Sequence, residues 1–308
     1  MPVNKSDLEF FELLSQAAEN NKISSPSIDE LRINIKQLSY FVDLPANIPF
    51  EDLTITFPDG HEIRLRYYPN KKSIAPIIIY FPGNGFIYDL FQENHTIISK
   101  ITQEADCHAV MIECRLAPET PYPAPLEDAL EAVKYIFEHC NDFRIDINKI
   151  ILTGYSSGAN LAAVITNQLR KKGISIFHQF LISGAFDYTD SLHDYDHFAL
   201  QDRMLDPQSA KFSFDCYSHE SQRHEPTCSP YWEPDLSNLP PTTIMVGEYD
   251  GGRNQSEGYA KKLKDAGNQV EKIILAGQTH GTILFRKACF QGEDPAVVAG
   301  KRIKLIVS

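Results

Sequence analysis

The segment Gly154-Tyr155-Ser156-Ser157-Gly158 decides how this chain folds. It follows the apolar run 150–153 and precedes the helical segment 159–171, so it lies at a strand-to-helix turn. Glycine on both sides of such a turn lets strand and helix approach each other without a clash between Cβ atoms. The arrangement predicts a nucleophile elbow that exposes the Ser156 hydroxyl. Taken alone, the string also fits an ordinary glycine-rich surface turn, so the rest of the chain must distinguish the two.

Composition limits the kind of protein this chain can be. Its 308 residues are 43% hydrophobic, which is enough for one large domain over 1–308; two small domains are the alternative. The 29 Lys and Arg residues stand against 41 Asp and Glu residues, for a formal charge of -12. This acidic balance disfavours a nucleic acid or an anionic membrane as the partner.

The sequence indicates a cytoplasmic protein. Its beginning, with Asp7, Glu9 and Glu12, lacks the basic and apolar regions of a secretory signal, and no apolar run reaches membrane-spanning length. The six cysteines are scattered and none forms a C-x-x-C pair, as expected of free thiols in a reducing compartment. The sequence is compatible with a monomer or a homodimer and does not distinguish them.

The N-terminal part predicts two amphipathic helices followed by a hairpin. Capping-box patterns begin at Ser6 and at Ser27, each ahead of apolar residues at helical spacing. The dipeptide Asp59-Gly60 then lies between the alternating segments 53–57 and 62–68. A turn dipeptide in that position predicts two antiparallel strands.

The remaining pattern predicts an α/β fold with a mostly parallel central sheet and helices on both faces. Short runs that are apolar on both faces alternate with helical stretches, as in buried parallel sheets. The predicted strands are 76–81, 109–112, 150–153, 179–182, 243–246 and 272–275, and the predicted helices include 125–140, 159–171, 256–266 and 295–306.

One interval of about sixty residues, between the strands at 179–182 and 243–246, has no strand pattern and is too long for an ordinary loop. It predicts an inserted helical cap over about 186–230. Within it, His193 and His197 have the spacing of a metal-binding pair, but a polar loop is the favoured interpretation, and no metal is expected. Phe212 and Phe214, together with Phe86 upstream, are candidates for a substrate pocket; packing of a cap helix onto the body is the alternative for the first two.

Two residues downstream are suited to activate Ser156. Asp250 follows the strand at 243–246, and His280 follows the strand at 272–275. Because the carboxyl ends of parallel strands share one edge, these side chains are expected to converge on Ser156. A histidine would accept the serine proton, and a carboxylate would orient the imidazole. Glu248 and Glu257 are alternatives for that carboxylate.

The segment Pro82-Gly83-Asn84-Gly85 ends a strand and enters a glycine loop. The backbone N–H groups of Gly83, Asn84 and Ser157 are expected to face the oxyanion of a tetrahedral intermediate. A dinucleotide-binding loop is excluded, because no third glycine follows at Tyr88, and no phosphate-binding G-x-x-x-x-G-K-[ST] string is present.

Taken together, these motifs resemble the hormone-sensitive-lipase branch of the α/β-hydrolases, in the family's order and over nearly the whole chain. The resemblance implies an α/β-hydrolase fold with an N-terminal helical cap over about 1–45. It also implies a carboxylic ester hydrolase with an acyl-enzyme intermediate, a small ester substrate with a short to medium acyl chain, and no cofactor. The segments that carry it are 82–86, 115–119, 121–129, 154–162, 229–230 with 239–241, Asp250 and 280–281.

The chain departs from the family pattern at several positions that border the expected site. Pro82-Gly83-Asn84-Gly85 stands where the family has His-Gly-Gly-Gly, and Tyr155 and Ser157 stand where it has Asp and Ala around the serine. Arg115 and Glu119 are interpreted as a structural ion pair or a backbone clamp beneath the glycine loop.

Two other functions use the same residues. An amidase or peptidase would use the same triad, with His280 protonating an amine leaving group. A non-catalytic small-ligand receptor on this fold is the third possibility, since the family includes receptors that have lost the histidine. The presence of His280 argues against it.

Overall fold

A computed structural model describes residues 27–57, 59–72, 74–189, 205, 207–287 and 292–308. The described chain begins with helix α1, Ile28–Gln37. The capping box is confirmed: the Ser27 hydroxyl accepts a hydrogen bond from the Glu30 N–H, and the Glu30 carboxylate accepts one from the Ser27 N–H. A short 3₁₀ helix, Leu38–Phe41, continues α1. The helix predicted after Ser6, like residues 1–26 of the predicted cap, lies outside the described residues.

The predicted hairpin is confirmed. Strand β1, Glu51–Thr56, pairs antiparallel with β2, Glu62–Tyr68. Gly60 lies in the turn with φ +88°, in the left-handed region that glycine adopts without strain. The antiparallel pair forms one edge of the sheet.

The sheet has eight strands in the order β1-β2-β4-β3-β5-β6-β7-β8. All neighbouring pairs from β4 onward are parallel, whereas β2 runs antiparallel to both of its neighbours. This is the α/β-hydrolase fold that the sequence predicts. The remaining strands are β3 (Ala75–Phe81), β4 (His108–Ile112), β5 (Ile145–Tyr155), β6 (His178–Ile182), β7 (Thr242–Gly247) and β8 (Val270–Leu275).

Helices cover both faces of the sheet, and β3 shows how. Its Ile77 and Ile79 pack in one core with α3, α4 and α6, while the alternate residues Ile78 and Tyr80 pack in a second core with α2 and α7. Successive side chains of a strand point to opposite faces, so a strand apolar at every position must be covered twice. The helices are α2 (Phe91–Ala105), α3 (Ala124–Glu138), α4 (Ser157–Lys171), α5 (Pro207–Tyr217), α6 (Arg253–Asp265) and α7 (Pro295–Val307).

Ser156 occupies a sharp turn between β5 and α4, with φ 55° and ψ −119°. A Cβ at Gly158 would overlap the carbonyl oxygen of Phe81, and one at Gly154 would overlap the backbone of Gly158. Glycine is therefore required at both positions, because β3, β5 and α4 meet there in backbone-to-backbone contact. The predicted elbow geometry is confirmed.

The interval between β6 and β7 contains helix α5 and two 3₁₀ helices, Glu220–Gln222 and Pro230–Trp232, and no strand within its described residues. Residues 190–204 and 206 lie outside the description, and with them the spacing of His193 and His197. The division of the chain into a body and a two-part cap stays a prediction.

We expect Gly158→Ala to lower the free energy of unfolding by about 3 kcal/mol or more, because the added methyl group forces the elbow away from β3. Gly173 is the matched control: it has φ +73° and open space around it, so Gly173→Ala is expected to cost only the left-handed strain of about 1 to 2 kcal/mol. Urea unfolding of both variants measures the difference. Equal losses would contradict the close approach.

Candidate active site

The structure brings Ser156, His280 and Asp250 together at the carboxyl edge of the sheet. Ser156 follows β5, Asp250 follows β7, and His280 begins a 3₁₀ helix, His280–Ile283, after β8. The Ser156 Oγ lies 3.0 Å from His280 Nε2, and His280 Nδ1 lies 3.0 Å from Asp250 Oδ1. The convergence expected from the sequence is present, in hydrogen-bonded order.

Asp250 is completely buried. Burial alone raises the pKa of its carboxyl group, but the attraction and the hydrogen bond of His280, with hydrogen bonds from the Ser183 side chain and the Gly252 N–H, lower the pKa below its ordinary value. The Gly252 nitrogen lies 2.7 Å from Asp250 Oδ1. An ionised carboxylate only accepts hydrogen bonds, so His280 Nδ1 carries the proton and Nε2 is left as the acceptor facing Ser156.

The alternative carboxylates have other partners. Glu248 accepts a hydrogen bond from the Gly277 N–H at 2.8 Å. Glu257 lies 3.4 Å from Arg253 and 3.5 Å from Lys272. The carboxylate that bonds to His280 is therefore that of Asp250.

The Tyr155 side chain contacts His280. Its hydroxyl donates a hydrogen bond of 2.8 Å to the backbone carbonyl of His280, and the two rings lie 5.2 Å apart. A Cβ on Gly83 would overlap the Tyr155 ring, so this ring also sets the position of the glycine loop. In the sequence, Tyr155 was recognisable only as a departure from the family pattern.

The Gly83 N–H is engaged by a buried asparagine. It donates to Asn94 Oδ1 at 3.0 Å, while Asn94 Nδ2 donates to the Gly83 carbonyl at 3.0 Å. The Tyr80 hydroxyl also donates to Asn94 Oδ1, at 2.7 Å. This corrects the sequence prediction, because the Gly83 N–H already has an acceptor inside the protein. Nothing in the sequence distinguished Asn94 from an ordinary polar residue.

The Asn84 N–H is engaged as well. It donates to the Ser157 hydroxyl at 3.1 Å, and that hydroxyl donates to Asn84 Oδ1 at 3.1 Å. Asn84 Oδ1 also accepts the Phe86 N–H at 2.9 Å. Two of the three predicted N–H donors thus have acceptors within the protein.

The backbone amides of Gly85 and Ser157 differ from those of Gly83 and Asn84, which have acceptors within the protein. Ser157 is the first residue of α4, so its N–H has no acceptor within the helix. Among the described residues, neither amide has a protein acceptor within hydrogen-bonding distance. Gly85, with φ +59°, borders the same cavity as Ser156 and His280. The sequence prediction of the Ser157 N–H is compatible with this geometry, and Gly85 was not among the donors predicted from the sequence.

A small cavity of about 50 Å³ adjoins Ser156 and His280. Helix α5 contributes Ala210, Ser213 and Phe214 to its wall, and Tyr188 completes the aromatic side. Phe214 therefore lies where the pocket prediction placed it. Phe212, on the same helix, is half-buried and does not line this cavity.

Phe86 lies on another side of the glycine loop. Its ring stacks on Tyr217 with centroids 3.7 Å apart, and it lines a separate cavity of about 470 Å³ that also includes Asn84. The pocket predicted from Phe86, Phe212 and Phe214 is therefore not a single surface.

The sequence suggested that Arg115 and Glu119 form an ion pair or a backbone clamp beneath the glycine loop, but each of them has another partner. Arg115 pairs with the buried Asp128 at 2.7 Å, and Glu119 pairs with Arg32 of α1 at 2.7 Å. Arg32 also donates to the carbonyls of Ile87 and Ala117. The backbone clamp is thus Arg32, which no motif singled out.

Within the described ranges of the chain, no helix is long and apolar enough to cross a membrane. In the same part of the chain, no three His, Cys, Asp or Glu side chains are grouped to hold a metal ion.

Comparison with known proteins gives a consistent result. A family model described as the alpha/beta hydrolase fold matches residues 78–284. The carboxylic ester hydrolase LipN of Mycobacterium tuberculosis strain H37Rv is 32% identical over 248 residues, which cover 76% of this chain and 64% of LipN. The ethyl acetate hydrolase of Pseudomonas putida is 25% identical over 261 residues, 82% of each chain.

Solved structures agree in fold. An esterase from the hyperthermophilic archaeon Pyrobaculum calidifontis superposes with a TM-score of 0.85 at 27% identity, over all of both chains. EstE1, a thermostable carboxylesterase cloned from a metagenomic library, gives a TM-score of 0.84 at 27% identity, over 92% of this chain and 99% of its own.

We expect Tyr155→Phe to lower the free energy of unfolding by about 1 to 2 kcal/mol, since it removes a buried hydrogen bond to the His280 carbonyl. Turnover should also fall severalfold, because the histidine loses a backbone support. Tyr67→Phe, on strand β2, is the matched control: it loses buried hydrogen bonds of 2.9 Å with the Phe143 carbonyl and His108 Nδ1, and it should affect stability alone. Thermal unfolding and ester hydrolysis measure both effects. Unchanged turnover in both variants would show that the Tyr155 hydrogen bond does not help to position His280.

Proposed function

Because the chain belongs to the hormone-sensitive-lipase-like family of the α/β-hydrolase fold, we propose that it is a serine carboxylic ester hydrolase acting through an acyl-enzyme. The observation that carries the proposal is the row Ser156–His280–Asp250, with both hydrogen-bond distances at 3.0 Å. A neutral imidazole fixed by a buried carboxylate is the arrangement that converts a serine hydroxyl into a nucleophile.

The reaction follows from the positions of the protons. His280 Nε2 accepts the Ser156 proton as Oγ bonds to the ester carbonyl carbon, and the carbonyl electron pair moves onto oxygen. When the tetrahedral intermediate collapses, the C–O bond to the alcohol breaks and His280 protonates the leaving oxygen. A water molecule then repeats the sequence on the acyl-enzyme, so that an acid and an alcohol are the products.

The amides of Gly85 and Ser157 are the proposed donors to the oxyanion. Both are without a protein acceptor among the described residues, and Ser157 lies at the N-terminus of the 15-residue helix α4. The positive end of that helix dipole favours negative charge at this point. Donors held by a rigid turn need no reorganisation when the charge develops.

We further propose that the insertion selects the acyl group. Helix α5 supplies Ala210, Ser213 and Phe214 to the wall of the small cavity beside Ser156. A cavity of about 50 Å³ suits a short acyl chain better than a long one. The name of the Pseudomonas relative, ethyl acetate hydrolase, agrees with a short-acyl substrate.

The test is a panel of nitrophenyl esters from acetate to decanoate, with nitroacetanilide as the matching amide, and with labelling by a fluorescent phosphonate. We expect turnover of the short esters, little turnover of the amide, and one labelled peptide containing Ser156. Ser156→Ala should abolish labelling and lower turnover by about four to six orders of magnitude.

Ser213→Ala is the matched control for labelling, since it removes another hydroxyl that borders the cavity and should keep the label. A label mapped to Ser157 would show that Ser157, and not Ser156, is the nucleophile. Preferred cleavage of the amide would identify the protein as an amidase and not an esterase. Binding of esters without turnover or labelling would indicate a receptor.

The pH profile should report His280. The lowered pKa keeps Asp250 ionised throughout the weakly acidic range, so Asp250 contributes no step there. Activity should fall on the acid side, because a protonated His280 Nε2 cannot accept the Ser156 proton. We expect kcat/KM to decrease about tenfold per pH unit on that acid limb. A rate that stays flat down to about pH 4.5, with native fluorescence, would contradict the role of a neutral histidine.

A further inference from the structure

Two departures from the family pattern contact each other. Asn84 replaces a glycine of the loop and Ser157 replaces the alanine after the nucleophile, 73 residues apart in sequence. Their side chains and backbone form two hydrogen bonds of 3.1 Å. Ser157 is 1% exposed, so no bulk water competes for its hydroxyl. The contact links the elbow directly to the loop beside it.

The proton positions in this contact follow from one backbone amide. The Phe86 N–H donates to the side-chain oxygen of Asn84 at 2.9 Å, which identifies that atom as Oδ1, an acceptor only. The Ser157 hydroxyl must therefore give its single proton to Oδ1. What remains on Ser157 Oγ is a lone pair, and this accepts the Asn84 N–H.

The consequence concerns the oxyanion. Ser157 borders the cavity beside Ser156 and His280, and its hydroxyl oxygen accepts the Asn84 N–H at 3.1 Å. In this state the Ser157 hydroxyl donates its proton to Asn84 Oδ1, and the Asn84 N–H donates to Ser157 Oγ, so neither group donates to an oxyanion. Both groups would be donors if the pair were broken.

We propose that the Ser157 hydroxyl, held by the Asn84 side chain, withholds the Asn84 N–H from the oxyanion, so that Asn84 and Ser157 together set the strength of the oxyanion site. The inference rests on the proposed function. In this proposal the amides of Gly85 and Ser157 donate to the oxyanion, and the Asn84 N–H does not.

The test is Ser157→Ala, assayed by kcat/KM on nitrophenyl acetate and by the inhibition constant of phenylboronic acid, whose tetrahedral adduct with Ser156 mimics the intermediate. Removing the hydroxyl frees the Asn84 N–H, so we expect kcat/KM to rise about tenfold and the boronic acid to bind about tenfold more tightly. Ser157→Cys, with a weakly bonding thiol, should change both in the same direction and provides a second variant if the first folds poorly.

Repeating Ser157→Ala in an Asn84→Gly background tests the pairing itself. Without Oδ1 the hydroxyl can turn its proton towards the oxyanion, so the gain should disappear or become a loss. An equal gain in both backgrounds would show that the Asn84 side chain does not hold the hydroxyl. A loss in the original background would show that the hydroxyl itself is the donor; either result overturns the proposal.

Failure of this inference is distinguishable from failure of the proposed function. If the unaltered protein neither hydrolyses the ester nor binds phenylboronic acid, the esterase assignment is wrong. If it does both and Ser157→Ala brings no gain in either measurement, the assignment stands and the inference about the pair is wrong.

Discussion

The rest of the site depends on the backbone contact between Gly158 and the Phe81 carbonyl. This contact places the first turn of α4 against the end of β3, with the backbone of Gly158 directly on the Phe81 carbonyl. A single methyl group there would push the turn at Ser156 away from β3 and the glycine loop. The constraint explains why the strained turn at Ser156 is tolerated: the strands on both sides hold it, since its N–H bonds to the Ile182 carbonyl at 2.9 Å.

Electrostatically, the site combines a buried anion with an uncharged neighbour that can accept a proton. Asp250 has no exposure; among the residues that the structure describes, its carboxylate accepts hydrogen bonds from His280 and from the Gly252 N–H and forms no ion pair with a lysine or an arginine. In the proposed reaction, such a carboxylate stabilises the imidazole most after proton transfer, when the ring is positive. The position of Asp250 would therefore favour the charge distribution of the proposed intermediate over that of the resting state.

Much of this could be predicted from the sequence, because strand ends and triad residues leave local signals. Continuous apolar runs and the Gly154 to Gly158 string placed Ser156, Asp250 and His280 at one edge. The bounds of helix α2 were not predicted, since buried polar residues such as Glu93, Asn94 and Ser99 interrupt its apolar stripe. The hydrogen bonds of Asn94 to Gly83 and of Ser157 to Asn84 could not be predicted, because they join distant segments through side-chain rotamers that no spacing encodes.

Arg32 connects parts of the chain that sequence separates. Its guanidinium donates to the Ile87 and Ala117 carbonyls and pairs with Glu119, so α1, the end of the glycine loop and the segment after β4 share one anchor. Buried carbonyls that lose their donor are costly to leave unpaired. A shortened chain that began after α1 would leave both of these carbonyls without that donor. Removal of helix α1 is therefore expected to destabilise the end of the glycine loop and the segment after β4.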